Sequence, residues 1–135
     1  MEDNPLVGTW KLVSYSCSDE DGNVDYPLGT GTRGYITYTA DGYMSVFIAS
    51  ADRANYASED LSGGTVEENA AAARTYMAYC GKYELHHDRV VHHIELALYP
   101  NRSGTSQVRY YELSGDRIDL TRPPILVNGK SQTCR

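Results

Sequence analysis

Neither a long apolar run nor a basic stripe occurs in this chain. Without about twenty consecutive apolar residues there is no helix able to span a bilayer, so no membrane partner is expected. Lys and Arg are scattered and the net charge is −6, which argues against a nucleic-acid partner. Cysteine is scarce: Cys17, Cys80 and Cys134 are odd in number, widely spaced and form no CxxC. They read as free, reduced thiols, which excludes a disulfide framework and a structural zinc site. The acidic start Met1-Glu2-Asp3-Asn4-Pro5 lacks the basic and apolar regions of a secretory signal, so a cytoplasmic location is the expectation. The glycines form no phosphate-cradling motif, and Ser14 with a histidine lacks an orienting acid and a nucleophile elbow. Phenylalanine and tryptophan occur once each, against twelve tyrosines. Strands favour tyrosine, which explains most of the twelve; the rest suit a pocket for a partly polar aromatic ligand.

The 135 residues are enough for one core and one domain, spanning 1–135. Turn signals recur at short intervals, as in a chain of many antiparallel strands. The expected strands are Leu6–Cys17, Tyr35–Thr39, Tyr43–Ala49, Tyr79–Leu85, Val90–Tyr99, Thr105–Leu113 and Asp116–Thr121, with Lys130–Arg135 as a short last one. Asp19-Glu20-Asp21-Gly22 closes the first strand, Pro123-Pro124 ends the seventh, and Asn128-Gly129 is a final hairpin signal. One segment differs. Thr65 and Glu68 form a capping box before an alanine-rich stretch, and Val66, Ala70, Ala73 and Met77 share one face at helical spacing. This predicts one α-helix near 65–78. The fold class is therefore all-β: an up-and-down barrel of seven to eight antiparallel strands with one inserted helix, a closed form that leaves no strand edges.

Phasing each strand by its apolar residues gives an inward set. It holds Trp10, Leu12 and Ser14; Ile36 and Tyr38; Met44, Val46 and Ile48; Tyr79, Gly81, Tyr83 and Leu85. It continues with Val90, His92, Ile94, Leu96 and Leu98, then Gln107, Arg109, Tyr111 and Leu113, and finally Ile118 and Leu120. Two of these are chemically distinctive, His92 and Arg109, on strands joined by a turn. No carboxylate lies in the inward set. A guanidinium keeps its charge when buried, so an acid-free interior predicts an anionic, enolic or carbonyl-rich ligand, or an Arg near a watered mouth. A structural Arg109 bonded to backbone carbonyls or packed on Trp10 weighs equally, and a satisfied core histidine is the plainer role for His92. A one-residue bulge would exchange His92 for His93 and Glu95. His86-His87 fall in a turn and His92-His93 point to opposite faces, so no metal site and no cofactor is expected.

Gly8-Thr9-Trp10 is similar to the Gly-x-Trp signature of the lipocalin superfamily. More specifically, Leu6–Ser14, Gly34–Ser45, Val90–Glu95 and Gly104–Leu113 resemble, in order, the small bacterial and fungal lipocalin-like domain family. The resemblance covers nearly the whole chain. It implies a small barrel around an apolar ligand, and some fungal members look like cyclases or isomerases of natural-product pathways. The family usually continues through a longer last strand than the one ending at Cys134-Arg135, which leaves homodimer formation open as a way to cover that side. Two functions follow. The first is a cofactor-free isomerase, cyclase or dehydratase acting on a polyketide- or terpenoid-like intermediate, with His92 as general acid or base and Arg109 stabilising an enolate. The second is a non-catalytic carrier of a hydrophobic, carbonyl-rich or anionic small molecule. In both, Trp10, Ser14, Tyr38, Met44, Tyr79, Tyr83, Gln107 and Tyr111 form the binding wall. The resemblance puts the enzyme first.

Overall fold

The structure, a computed structural model, describes residues 4–122 and the backbone of 125–127 and 130–134. Its elements are β1 (Gly8–Lys11), β2 (Cys17–Asp19), β3 (Val24–Asp25), β4 (Arg33–Tyr38), β5 (Tyr43–Ala49), α1 (Val66–Arg74), β6 (Tyr76–Leu85), β7 (Arg89–Ala97), β8 (Ser106–Ser114), β9 (Arg117–Thr121), β10 (Ile125–Val127) and β11 (Lys130–Cys134). A single 3-10 turn, Pro100–Arg102, links β7 to β8. Seven strands form one antiparallel sheet in the order β1-β4-β5-β6-β7-β8-β9, and β10-β11-β2-β3 form a second. The large sheet is the expected meander. It curls as a half-barrel, and no ladder joins β1 to β9; instead both end strands line the same cavity. Among the described residues no helix is long and apolar enough to cross a membrane.

The expected first strand, Leu6–Cys17, is two strands in different sheets. β1 pairs with β4, whereas β2 pairs with β3 and β11. The chain leaves the first sheet after Lys11, and Val13 is exposed. The Asp19 carboxylate then accepts from the backbone N–H groups of Asp21 and Asn23 and folds the β2–β3 turn. Cys17 is disulfide-bonded, which corrects the reading of three free thiols, and Cys80 is free. Cys17 stands opposite Cys134 in backbone register; the side chain of Cys134, Pro123-Pro124 and Asn128-Gly129 lie outside the described residues.

The helix begins as expected. Thr65 Oγ1 accepts from the Glu68 N–H, and Glu68 Oε1 accepts from the Thr65 N–H. The Thr65 N–H, with the Ala57 N–H, holds the Glu68 carboxyl below its ordinary range. The helix is shorter than expected and its apolar face is thin. It stops at Arg74, no residue in it is buried, Val66 is exposed, and Met77 belongs to β6. Val66, Ala70 and Ala73 offer too little apolar area to dock a helix firmly.

A bulge decides the phase of β7. Gly81 stands opposite Ile94, but the preceding Cys80 stands opposite Leu96, so Glu95 is the extra residue. A Cβ at Gly81 would meet the His93 carbonyl oxygen at 2.0 Å, so only glycine permits this approach. The bulge follows Ile94. Val90, His92 and Ile94 therefore keep their inward phase, at 0%, 1% and 2% exposure. Beyond it the phase flips: Leu96 and Leu98, expected inward, are exposed, and Ala97 packs on the core. Leu113, at the outer end of β8, is exposed as well. The core itself is Leu6, Tyr38, Met44, Val46, Ile48, Tyr79, Tyr83, Val90 and Ile94.

Candidate functional site

The concave face of the half-barrel encloses a cavity of about 540 Å³. Its apolar wall includes Trp10, Leu12, Ile36, Ile48, Met77 and Leu120, and its buried polar groups are Tyr79, His92, Arg109 and Arg122. Of the residues expected at the site, Trp10, Ser14, Tyr79, His92 and Arg109 line this cavity. Ser14 does so from the connection after β1, not from a strand. Tyr38, Met44, Tyr83, Gln107 and Tyr111 are not among the lining residues. Met44 is core. Tyr83 donates to the Thr39 carbonyl and accepts from Asn4 Nδ2. Tyr111 donates to the His86 carbonyl and so pins the β6–β7 turn.

His92 lies between two phenols. Its Nε2 is 2.6 Å from Tyr38 Oη and its Nδ1 is 2.8 Å from Tyr79 Oη. Burial, then the positive charge of Arg109, then His93, lower its pKa from 6.5 to about 3. The ring is therefore neutral at pH 7, with one nitrogen donating and the other accepting. Tyr38 is 1% exposed, its ring packs edge-on against Tyr83, and burial raises its own pKa. Its only hydrogen-bond partner among the described residues is Nε2. A buried hydroxyl must place its proton, so Tyr38 donates to Nε2. Nδ1–H then donates to Tyr79, a lining residue of the cavity, whose own hydroxyl proton has no acceptor among the described residues. His93, on the opposite face of β7, meets Ser106 and Glu84.

Arginine dominates the other side. Arg109 is 8% exposed and donates from Nη1 to the Val108 carbonyl. Arg122 is 6% exposed; its Nη2 is 3.4 Å from Gln107 Oε1 and its buried Nε has no partner among the described residues. Burial, then Arg109 and Arg102, lower the Arg122 pKa to about 10. Arg102 lies behind the wall, its Cζ 5.9 Å from the Tyr79 ring centroid and its Nη1 against Met77 Sδ. Burial and then Arg109 lower its pKa too. Among the described residues no carboxylate pairs with Arg102, Arg109 or Arg122. Asp116 and Asp119 line the cavity but are exposed, and Asp119 faces Arg117 at 3.9 Å. Arg122 is absent from the residues expected inside, although the sequence carries its signal: Ile118, Leu120 and Arg122 continue one alternation. Arg102, in the 3-10 turn, carries no such signal. No group of three His, Cys, Asp or Glu side chains among the described residues is placed to hold a metal ion.

An antiparallel meander curled as a half-barrel around a largely apolar cavity, with a few buried polar groups in its wall, has the form of a small-molecule-binding protein. Residues 7–134 match the model of the lipocalin-like domain, and the chain belongs to that family. It is also similar to the 4'-hydroxy-3'-methoxypropiophenone carrier protein ppsC of Aspergillus oryzae (strain ATCC 42149 / RIB 40). The two are 33% identical over 98 residues, covering 66% of this chain and 88% of that protein.

Proposed function

We propose that this protein is a carrier for a small, largely apolar, oxygen-bearing molecule. The observation that supports it best is the cavity of about 540 Å³, largely apolar, with Tyr79, His92, Arg109 and Arg122 as its buried polar groups. That volume suits a ligand of one or two rings. The aryl ketone named for the Aspergillus relative is of this class, an apolar ring with oxygens at both ends. His92 supports carriage over chemistry, because a ring with a pKa of about 3 and both nitrogens engaged is a poor proton shuttle near neutrality. A second reading keeps the cofactor-free isomerase or cyclase. The hydroxyl proton of Tyr79 and the guanidinium of Arg109, which line the same cavity, would polarise a carbonyl and stabilise its enolate.

Trp10, the sole tryptophan, lines the cavity and reports on its contents. Titration with 4'-hydroxy-3'-methoxypropiophenone is expected to quench its fluorescence to a one-to-one endpoint with a dissociation constant of about micromolar order. The compound should be recovered unchanged by mass spectrometry after long incubation. A conversion product that disappears in Tyr79→Phe would replace the carrier by the enzyme. Absence of any quenching by this or related aryl ketones would remove both.

A further inference from the structure

Of the buried polar groups facing the cavity, His92 has both nitrogens engaged, whereas Arg109, Arg122 and Tyr79 each have a donor to offer. Arg109 and Arg122 are guanidinium donors at 8% and 6% exposure. Arg109 spends one N–H on a backbone carbonyl, and Arg122 keeps a buried Nε–H with no partner among the described residues. The Tyr79 oxygen accepts from His92 Nδ1–H, so its own proton is free (the geometry requires this once Tyr38 donates to Nε2). Arg102 adds a third positive charge from behind Tyr79 and Met77. The segment 123–135, which follows Arg122, contains no Asp or Glu to answer these charges. A neutral carbonyl would satisfy some of the donors but leave the charges uncompensated in a low-dielectric pocket. An oxyanion answers both, because its oxygen accepts from the guanidinium groups in charge-assisted bonds, and a carboxylate offers two such oxygens.

We propose that the cavity is an anion site and that its preferred ligand is an apolar organic acid, whose carboxylate, or ionised phenol or enol, lies against Arg109, Arg122 and the Tyr79 hydroxyl. This rests on the carrier reading and specifies its ligand. Asp116 and Asp119 line the cavity but are exposed, so at the buried arginines an aryl amine would meet only like charge.

Calorimetry on the wild-type chain with 2-naphthoate, 2-naphthamide and 2-naphthylmethylamine tests the inference, since the three share a ring system and differ in charge. The expected order is naphthoate tighter than naphthamide by about tenfold or more, with the amine not binding. Arg122→Gln and Arg109→Gln should each shrink the acid-over-amide ratio toward one while the amide still binds, and Arg122→Lys should retain part of it. Equal affinity for acid and amide in the wild type overturns the anion site and leaves the carrier standing. A ratio that survives in both glutamine variants overturns the assignment to these arginines. If no member of the set binds the wild type, the carrier reading falls and this inference falls with it.

Discussion

The two sides of the barrel interior treat their polar groups in opposite ways. On the His92 side, Tyr38, His92 and Tyr79 are joined in one chain, and neighbouring Tyr83 bonds to Thr39 and Asn4. On the arginine side, two buried guanidinium groups have one backbone carbonyl, one long bond to Gln107 and no paired acid among the described residues. A satisfied buried network stabilises the fold and specifies it. An under-satisfied one destabilises the empty protein and holds interaction free energy in reserve for a ligand. The two histidines of β7 make the same point in small: His92 is held by the core, whereas His93 meets Glu84 and Ser106 at the surface.

Three substitutions or conditions sharpen or break this contrast. The largest effect is expected at the satisfied side. His92→Ala leaves the Tyr38 hydroxyl buried without a partner and opens a void, so urea unfolding at pH 7 should show a loss of about 3 kcal/mol or more. A loss below about 1 kcal/mol would mean that the chain of phenols and imidazole does not organise the core. Next comes acid pH. The folded state holds His92 at about 3 against an ordinary 6.5, so between these values the unfolded chain takes up the proton and the folded chain does not. The stability this group contributes is complete above about pH 6.5 and is lost as pH falls through that window, by up to about 1.4 kcal/mol per pH unit. Unfolding midpoints measured from pH 7 down to pH 5 should fall in the wild type and flatten in His92→Asn. The smallest effect is expected at the arginine side: Arg122→Met removes a poorly answered buried charge, so stability should stay level or rise by about 1 kcal/mol. A clear destabilisation by Arg122→Met would make that arginine a structural member of the core, and the contrast between the sides would disappear.

Much of this contrast is legible in the sequence. Alternation places His92 and Arg109 inside, and the capping box places the helix start. The helix end is not legible, because Tyr76 and Met77 suit either state and the ladder to β5 claims them for a strand. The break at Lys11 is equally hidden, since the apolar pattern of Leu6–Cys17 runs on while its ladder partners change sheet.

Local sequence by itself determined the strand faces, the capped helix and an interior poor in acids, because alternation, capping and side-chain charge act over a few residues. Only the tertiary structure decided the rest. It set the bulge after Ile94, which a glycine permits but only the neighbouring strand imposes, and it divided the first strand between two sheets. It also brought Arg102 and Arg122 to Arg109, through a turn folding back on β6 and through β9, the end strand of the large sheet, which lines the same cavity as β1. Those meetings join residues far apart in the chain, and ladder register and sheet curvature, which no short stretch of sequence encodes, govern them.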